Sequence, residues 1–365
     1  MKVFSFCLYG TQAKYCQGMI ENLKMIEKHY PDWMVYVACG NDVPQHYIDL
    51  MQGYSNCQLN KLPLKGIELM NYRFFAIDDA QVEVMFSRDA DSRINGRDRF
   101  CINEFLNSDK QFHIIRDHYH HKQLIMGGMW GCKHGVLPFK IQERFERYRQ
   151  GRNMNAYSAD QSFLAAVVYP IIKDKVLIHS DMVAFAGEHV SPIRFYNNNN
   201  NFCGNVMLID GAGISYPEFT YWNFDVLDQI RWMCQQQAWK LISHFCKQCL
   251  HCAYRTFDSK QRSEIVHSLY TAYYNLHKYE KCQRALALYK DLAVSDSLVV
   301  SSNSLLIKLG KTIVGTSDKK RKAKENEIVI IYDDSVPQDY QALPHSNVLI
   351  RHSKYKQAVT HDAME

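Results

Sequence analysis

The sequence predicts an α/β domain with a mostly parallel sheet, followed by a helical region. Lys2–Leu8 and Trp33–Cys39 are apolar strand patterns separated by a helical pattern. Strand, helix and strand at this spacing are typical of the start of a parallel α/β sheet. From Tyr216 onward the apolar residues follow helical spacing instead. The 365 residues are enough for two domains and a small third unit.

Composition narrows the class of protein. Hydrophobic residues make up 47% of the chain, which predicts well-filled cores, and the formal net charge of only +5 argues against a dedicated nucleic-acid binder. The twelve cysteines lack a paired spacing, which predicts a reducing, cytoplasmic setting. The longest apolar run, Phe163–Ile172, is about half of the roughly 20 residues that a membrane span needs, so we expect a soluble protein.

The first region is predicted to alternate strands with helices. After the opening strand, the apolar residues Tyr15, Met19, Leu23 and Ile26 predict a helix that ends near Tyr30. The remaining predicted strands are Cys57–Leu62, Val82–Phe86, Phe112–Arg116 and Val176–Ile178. The remaining predicted helices are Gln45–Met51, Ile67–Ile77, Gly96–Leu106, Phe139–Tyr148 and one that opens at Ala159. We expect this domain to cover residues 1–213.

The stretch Val82–Arg93 organises this domain, because a buried strand runs directly into two carboxylates. Asp89 and Asp91 are two residues apart, so in extended backbone they point the same way and can face one hard cation. Open α/β sheets bind ligands beyond the carboxyl ends of their strands. Arg88 and Arg93 flank the pair, as expected if phosphate oxygens bind there too. The alternative is a turn in which the aspartates only accept backbone hydrogen bonds.

Two further features predict close contacts. Arg73 lies in the middle of the apolar segment Ile67–Ile77 and needs an anionic partner, either a phosphate or Asp78. Gly127 and Gly128 predict backbone that approaches another group closely or forms a tight loop.

Asp160 and several histidines are also candidates for the site. Asp160 lies near a predicted helix N-terminus, where a carboxylate is favoured as a cap even without a function. The strand Val176–Ile178 delivers His179. The histidines that follow Asp117 suggest zinc, but no cysteine or carboxylate lies at structural-site spacing, which argues against it.

Taken together, seven segments resemble a family of GT-A-fold glycosyltransferases from bacteria and large DNA viruses, which includes the N-terminal domain of a chlorella-virus capsid glycosyltransferase. They occur in the family's order and cover about residues 1–210. The matching segments are Ser5–Gly10, His29–Trp33, Tyr72–Phe74, Ser87–Arg93, Phe112–His118, Met126–Lys133 and Asp160–Leu164. The resemblance implies a Rossmann-like, mostly parallel GT-A domain.

The resemblance also implies roles for individual residues. Asp89, Asp91 and His179 would hold Mn²⁺ or Mg²⁺, with Asp181 as a replacement for His179. The catalytic residues would be Asp91, Asp117 and Asp160, and Asp160 would contact the sugar or act as general base toward the acceptor hydroxyl. The residues that would bind the donor are Leu8, Tyr9, Gly10, Arg73, Asp89, Arg93, Gly127 and Gly128.

The implied activity is metal-dependent transfer of a sugar from a nucleotide diphosphate sugar, with a weak preference for UDP, to a hydroxyl of a glycan or glycoprotein acceptor. A nucleotidyltransferase or phosphohydrolase is the alternative enzyme class, because paired aspartates also hold phosphate-bound metals there. A helical-repeat scaffold with an inactive transferase domain is a third interpretation, and the intact Asp89, Asp91 and Asp160 argue against it.

The rest of the chain is predicted to form three parts. Residues 214–312 form a helical accessory domain in which Glu264–Leu292 is similar to a tetratricopeptide unit and could bind an acceptor or a protein partner. Residues 313–326 form a basic linker, and residues 327–365 a tail with strands at Glu327–Asp334 and Asn347–Ile350. Cysteines at spacings of three, from Cys246 to Cys252, suggest buried packing along one helix face rather than a metal site.

Overall fold

The protein is described by a computed structural model, and its chain separates into two compact units, Met1–Phe224 and Asp225–Glu365. The residues described are 1–197, 200–253, 256–278, 280–282, 285, 312–316, 327–332 and 348–351. The first unit thus runs beyond Gly213, the predicted end of the first domain.

An eight-stranded sheet forms the centre of the first unit. Its strands are β1 (Lys2–Leu8), β2 (Met34–Cys39), β3 (Cys57–Lys61), β4 (Val84–Ser87), β5 (Phe112–Arg116), β6 (Trp130–Lys133), β7 (Val176–Ser180) and β8 (Val190–Ser191). They lie in the order β3-β2-β1-β4-β6-β5-β7-β8. All neighbouring strands are parallel except β6, which is antiparallel to both β4 and β5. This mixed, mostly parallel sheet confirms the predicted α/β class and fits a GT-A domain.

Helices lie between the strands of this unit. They are α1 (Ala13–His29), α2 (Gln45–Gln52), a 3₁₀ segment (Gly66–Asp78), α3 (Gly96–Leu106), α4 (Ile141–Tyr148), α5 (Ala159–Phe163), a π turn (Leu164–Val168) and α6 (Tyr169–Ile172). A short hairpin of β9 (Met207–Ile209) and β10 (Ser215–Pro217) follows. The segment around Arg73 is therefore a 3₁₀ helix and not the α-helix that its apolar spacing predicts.

Both faces of the sheet are buried, as parallel strands require. On one face Trp33 stacks against both Phe4 and Phe86, at ring-centroid distances of 4.9 Å and 5.6 Å. On the other face Trp130 stacks on Phe112 at 5.1 Å. Because β4 lies in the middle of the sheet, with β1 on one side and β6 on the other, the turn that follows it is held by well-packed strands.

Strand β6 was not predicted, because its glycine-rich sequence has weak strand propensity. The reason for glycine becomes clear in the sheet. Gly131 pairs with Phe86 of β4, and a Cβ at Gly131 would overlap the Phe86 ring. Gly131 is therefore required by packing against its neighbour, which is a common reason for glycine inside a strand.

Within its described residues, the second unit has the helices α7 (Val226–Gln235), α8 (Trp239–Cys252) and α9 (Ser259–Asn275). The helical pattern of residues 224–249 is interrupted between α7 and α8, where Gln237 has a φ of 54°. Cys246 and Cys249 are buried in α8, and burial raises the pKa of both thiols, which agrees with packing. The tetratricopeptide similarity was predicted for Glu264–Leu292; its first part lies in α9, residues 286–292 lie outside the described part, and the similarity stays a prediction.

Three strands of the second unit, β11 (Thr312–Thr316), β12 (Glu327–Tyr332) and β13 (Val348–Arg351), form a parallel sheet. Strands β12 and β13 correspond to the two predicted ones. Strand β11 is additional and occupies the first residues of the predicted linker 313–326, whose remaining residues lie outside the described part. None of the helices described in either unit is long and apolar enough to cross a membrane.

Candidate active site

The turn after β4 presents the aspartate pair at the carboxyl end of the sheet. Ser92 closes this turn by donating hydrogen bonds from its backbone N–H (3.3 Å) and its hydroxyl (3.1 Å) to the carbonyl of Asp89. Asp91 is buried, whereas 41% of the Asp89 side chain is exposed. The two carboxylates therefore differ in their access to solvent.

Two side chains donate hydrogen bonds to backbone carbonyls of this turn. The Asn22 amide, on α1, donates to the carbonyls of Ala90 (3.2 Å) and Ser92 (2.9 Å). The Arg93 guanidinium donates to the same two carbonyls, also at 3.2 Å and 2.9 Å. Two donors per carbonyl fix the path of the turn. Arg93, which was predicted to bind the donor, thus donates hydrogen bonds to the backbone of this turn.

Arg73 joins two of the three site carboxylates. Its guanidinium donates to Asp89 through one terminal nitrogen and to Asp160 through the other, the latter at 2.9 Å. Arg73 and Asp160 are both buried, with 4% and 1% of their surface exposed. The anionic partner that a buried arginine requires is therefore this carboxylate pair. Asp78, the alternative partner, instead accepts two backbone N–H bonds at the start of α4.

Two glycines let the backbone approach these side chains. A Cβ at Gly127 would overlap the Asp160 carboxylate and the Arg73 guanidinium, and a Cβ at Gly128 would overlap the Asp89 carboxylate. The Ser87 hydroxyl donates to the Gly127 carbonyl at 2.8 Å and fixes this approach. The prediction of close contact therefore agrees with the geometry, and Gly127 and Gly128 lie within the site.

The electrostatics of the site follow from burial and crowding of negative charge. Desolvation, followed by repulsion from Asp89, raises the pKa of Asp91 to about 6, and the nearby Lys14 acts in the opposite direction. Burial also raises the pKa of Asp160, which Arg73 partly offsets. Three carboxylates, those of Asp89, Asp91 and Asp160, face only the cations Arg73 and Lys14 in these contacts, and this excess of negative charge is suited to binding a further cation.

Three of the predicted donor-binding residues, Leu8, Tyr9 and Gly10, lie at the end of β1 and in the turn that follows it. Leu8 is buried in the core, and its carbonyl accepts the Gly40 N–H at 2.8 Å. Tyr9 and Gly10 are half-buried, and Gly10 takes a φ of 73° in the turn that enters α1. Burial raises the pKa of Tyr9, and the charges of Arg73 and Asp89 act on the same phenol, which places Tyr9 beside the site.

His179 does not lie beside the aspartate pair, which corrects the predicted metal triad. Its ring is buried in β7 and bonded on both nitrogens, to His113 at 2.9 Å and to Glu104 at 2.8 Å. Strand β7 is three positions from β4 in the sheet, a separation of about 14 Å at normal strand spacing.

Asp117 and Asp181 belong to a separate buried ion cluster and not to the donor site. Arg97 donates to both carboxylates, to Asp117 at 2.7 Å and to Asp181 at 2.6 Å. Asp117 also accepts the Cys203 N–H at 2.8 Å, and Asp181 accepts the Tyr221 hydroxyl at 3.1 Å. These bonds occupy the oxygens that a sugar or a metal would need. Similarly, Arg88 is turned inward onto Asp98 at 2.7 Å.

The carboxylates at β4 fit a metal that is shared with a ligand. Among the described residues, no group of three or more His, Cys, Asp or Glu side chains is arranged to hold a metal ion. Mg²⁺ is often bound by only one or two carboxylates, with waters and substrate phosphates completing the shell, and carboxylate ligands also suit Mn²⁺. Asp89 and Asp91 supply that hard-oxygen pair.

Two residues of the site were missed in the sequence. Lys14 lies 4.0 Å from the Asp91 carboxylate, and the Asn22 amide donates hydrogen bonds to two backbone carbonyls of the turn. The only available signal is that both lie on α1, the first helix after β1, whose start must lie at the same sheet edge as the end of β4. An isolated lysine and an isolated asparagine on a helix carry no motif.

No protein-family profile and no curated protein sequence matches the chain. Solved structures that it resembles include a capsid glycosyltransferase of the virus PBCV-1, at 15% identity and a TM-score of 0.34 over 50% of this chain and 83% of that one. A mannosyltransferase from Pyrobaculum calidifontis in complex with GDP-Man and Mn²⁺ is similar at 13% identity and a TM-score of 0.35, over 84% and 80% of the two chains.

The similar structures also include an enzyme of another class. A 4-diphosphocytidyl-2C-methyl-D-erythritol synthase from Anaerococcus prevotii aligns at 12% identity and a TM-score of 0.32, over 49% of this chain and 89% of that one. Glycosyltransferases recur among the other matches. At these levels of similarity, the function has to be argued from the site itself.

Proposed function

We propose that this protein is a metal-dependent glycosyltransferase that moves a sugar from a nucleotide diphosphate sugar, UDP-linked in our preferred version, to a hydroxyl of a glycan or glycoprotein. The observation that carries the proposal is the convergence of Asp89, Asp91 and Asp160 around Arg73 at the carboxyl end of the sheet. Crowded carboxylates beside a close backbone approach suit a ligand that arrives with a cation.

Glycosyl transfer requires stabilisation of the negative charge that develops on the leaving diphosphate. Transfer breaks the bond between the anomeric carbon and the phosphate oxygen, and the electron pair stays on the departing diphosphate. A bound Mn²⁺ or Mg²⁺ would supply positive charge to that diphosphate. Asp89 and Asp91 would hold the metal, and Arg73 and Lys14 are the cations that lie beside these two carboxylates.

Asp160 is the group on the opposite side of Arg73. One of its oxygens accepts from Arg73, and the other, Oδ1, is buried without a hydrogen-bond partner among the described residues. A buried unpaired acceptor costs free energy unless a ligand hydroxyl fills it. In an inverting reaction Asp160 would take the proton from the acceptor hydroxyl; in a retaining reaction it would orient the donor sugar.

The identity of the released nucleotide tests the proposal. The protein is incubated with Mn²⁺ and a panel of nucleotide sugars without acceptor, and the products are separated by anion-exchange chromatography. Slow release of free sugar and nucleoside diphosphate supports a glycosyltransferase. Cleavage to nucleoside monophosphate supports the nucleotidyltransferase or phosphohydrolase alternative instead. Release that Asp91→Asn does not reduce would mean that the reaction occurs elsewhere.

The scaffold interpretation is tested by binding rather than turnover. A thermal-shift screen of nucleotide sugars with and without Mn²⁺ detects any donor, because only a bound ligand stabilises the fold by mass action. A stabilisation that requires Mn²⁺ supports the enzyme. The helical second unit is a candidate for binding the acceptor or a protein partner, and this role also remains a proposal.

A further inference from the structure

Lys14 is a second cation of the site, beside Asp91 rather than beside Asp89 and Asp160, which Arg73 contacts. It lies in the first turn of α1, directly after the Gly10 turn at the end of β1. Its ammonium nitrogen is 4.0 Å from Oδ2 of Asp91, and 30% of its side chain is exposed compared with 11% for Asp91.

The pairing of Lys14 with Asp91 is loose. A charge-assisted hydrogen bond between an ammonium and a carboxylate has a length of about 2.7–2.9 Å. At 4.0 Å the two groups attract each other without forming that bond. The lysine is flexible and partly exposed, so a ligand with a higher negative charge can displace Asp91 as its partner at little cost.

The start of α1 adds a second feature that suits an anion. The helix has 17 residues, no side chain caps its N-terminus, and no acidic residue lies in its first turn. Its first N–H groups and its dipole therefore favour negative charge next to Lys14. The ammonium of this first turn lies beside the carboxylate that is proposed to hold the metal.

We propose that Lys14 binds the diphosphate of the nucleotide donor and neutralises Asp91 only while the donor is absent. This inference rests on the proposed function, because it assigns a residue to the donor of that reaction. The lysine then has two partners, one before and one after the donor binds. It contacts Asp91 in the free protein, and it contacts a phosphate oxygen once the metal has taken its place beside Asp91.

The exchange of partners predicts two effects of opposite sign. In Lys14→Met the Asp91 carboxylate loses its competing cation, so we expect Mn²⁺ alone to bind about 3-fold to 10-fold more tightly. The same variant lacks a charge-assisted bond to phosphate, so we expect UDP in the presence of saturating Mn²⁺ to bind about 10-fold to 100-fold more weakly. A purely structural lysine would not separate the two ligands in this way.

Isothermal titration of the full chain measures both affinities, with Mn²⁺ alone and with UDP in excess Mn²⁺. Lys14→Arg retains the charge and is expected to recover most of the UDP affinity. Lys24→Met is the matched control, because Lys24 lies on the same helix and pairs with Glu21 at 2.9 Å, with 54% of its side chain exposed. We expect it to bind both ligands like the wild type, and the melting temperature of each variant verifies folding.

The outcomes separate the inference from the proposed function. Tighter Mn²⁺ binding with weaker UDP binding in Lys14→Met supports the role of Lys14. If wild type and Lys14→Met bind UDP equally, or if both ligands weaken together, the role of Lys14 is rejected while the glycosyltransferase proposal stands. If the wild type binds neither UDP nor any other nucleoside diphosphate in excess Mn²⁺, the proposed function itself fails.

Discussion

The Arg73 guanidinium donates a 2.9 Å hydrogen bond to the Asp160 carboxylate, and both side chains are buried. This bond connects the 3₁₀ segment to the start of α5 across the active site. It also distinguishes two interpretations of Asp160. A simple helix cap would face its own helix, whereas this carboxylate faces an arginine that also holds Asp89.

Removal of the Arg73 charge should destabilise the fold. Arg73→Met leaves Asp160 as an unpaired buried charge, and breaking a buried pair in this way costs several kcal/mol. We expect the free energy of unfolding to fall by about 3 kcal/mol, at the low end of that range because Asp89 is 41% exposed and screened by water. Urea unfolding measures the change. The double variant Arg73→Met/Asp160→Asn should regain part of the loss, and strict additivity would contradict the pairing.

Loss of the Asp91 charge should abolish metal-dependent activity. We expect Asp91→Asn to lower the transfer rate by a factor that corresponds to about 3 kcal/mol or more, since the metal that stabilises the departing charge is no longer held. Initial rates of nucleoside diphosphate release in excess Mn²⁺ measure this effect. Asp109→Asn is the matched control, because Asp109 is exposed. Asp98→Asn would not serve, because Asp98 is paired with the buried Arg88. Turnover at the wild-type level would reject the metal role of Asp91.

Metal binding should depend on pH through Asp91, whose pKa is raised from 3.8 to about 6 in the metal-free protein. A protonated carboxyl does not bind Mn²⁺, so the rise in melting temperature caused by Mn²⁺ should be full at about pH 7.5 and should disappear as the pH falls through about 6. Melting curves across this range test it. A metal-induced rise that is unchanged at about pH 5 would contradict the assignment.

The stability of the metal-free protein should also depend on the protonation of Asp91. The contribution of Asp91 to stability should decrease as the pH rises, whereas Mn²⁺ binding should increase. An acid whose pKa is raised by folding contributes stability below its unfolded pKa, and this contribution is lost as the pH rises through the folded pKa. Between about pH 4 and pH 6 the Asp91 contribution therefore declines. Asp91→Asn should lack this decline, so the difference in melting temperature between the two proteins should change across that window. An unchanging difference would argue against the raised pKa.

Addition of a methyl group at Gly128 should displace Asp89. A Cβ there would overlap the Asp89 carboxylate, which must move to make room. We expect Gly128→Ala to fold and to bind Mn²⁺ with UDP at least about 10-fold more weakly, since one metal ligand is displaced. Gly96→Ala is the matched control, because a Cβ at Gly96 meets nothing within 4 Å. Titration calorimetry compares the two, and equal affinities would show that Asp89 does not bind the metal.

Removal of the Asn22 amide should loosen the turn that carries the aspartates. Asn22→Leu leaves the carbonyls of Ala90 and Ser92 with one donor each, and we expect a loss of about 1–3 kcal/mol in unfolding free energy. Gln17→Leu is the control on the same helix, since the Gln17 amide donates to Glu21 of the same helix and not to the aspartate turn. Urea unfolding of both variants measures the difference. A smaller loss in Asn22→Leu than in the control would contradict this role.

Local patterns predicted the elements around the site well. Strand β4 and the aspartates after it were predicted because buried strands and turn carboxylates have strong local signatures. The sequence also indicated that Arg73 needs an anionic partner. It did not identify that partner, because Asp160 is 87 residues away along the chain and only the folded sheet brings them together.

Two predicted site residues, Asp117 and His179, have their partners away from the aspartate pair for a related reason. Asp117 and His179 both end strands at the correct edge of the sheet, which is why they were predicted. Their partners, Arg97 and Glu104, lie on α3, and the charge of Arg97 can be satisfied only after that helix packs on the sheet. Burial and pairing of charged groups are tertiary properties that single-sequence patterns do not contain.

The central claim is that Asp89 and Asp91 hold a metal against the diphosphate of a nucleotide donor. A crystal grown with Mn²⁺ and UDP, measured at the manganese absorption edge, tests it most directly. The account predicts one anomalous peak within about 2.3 Å of an oxygen of Asp91, bridged to both phosphates of the nucleotide. A nucleotide bound elsewhere, or a manganese peak remote from both aspartates, would contradict it.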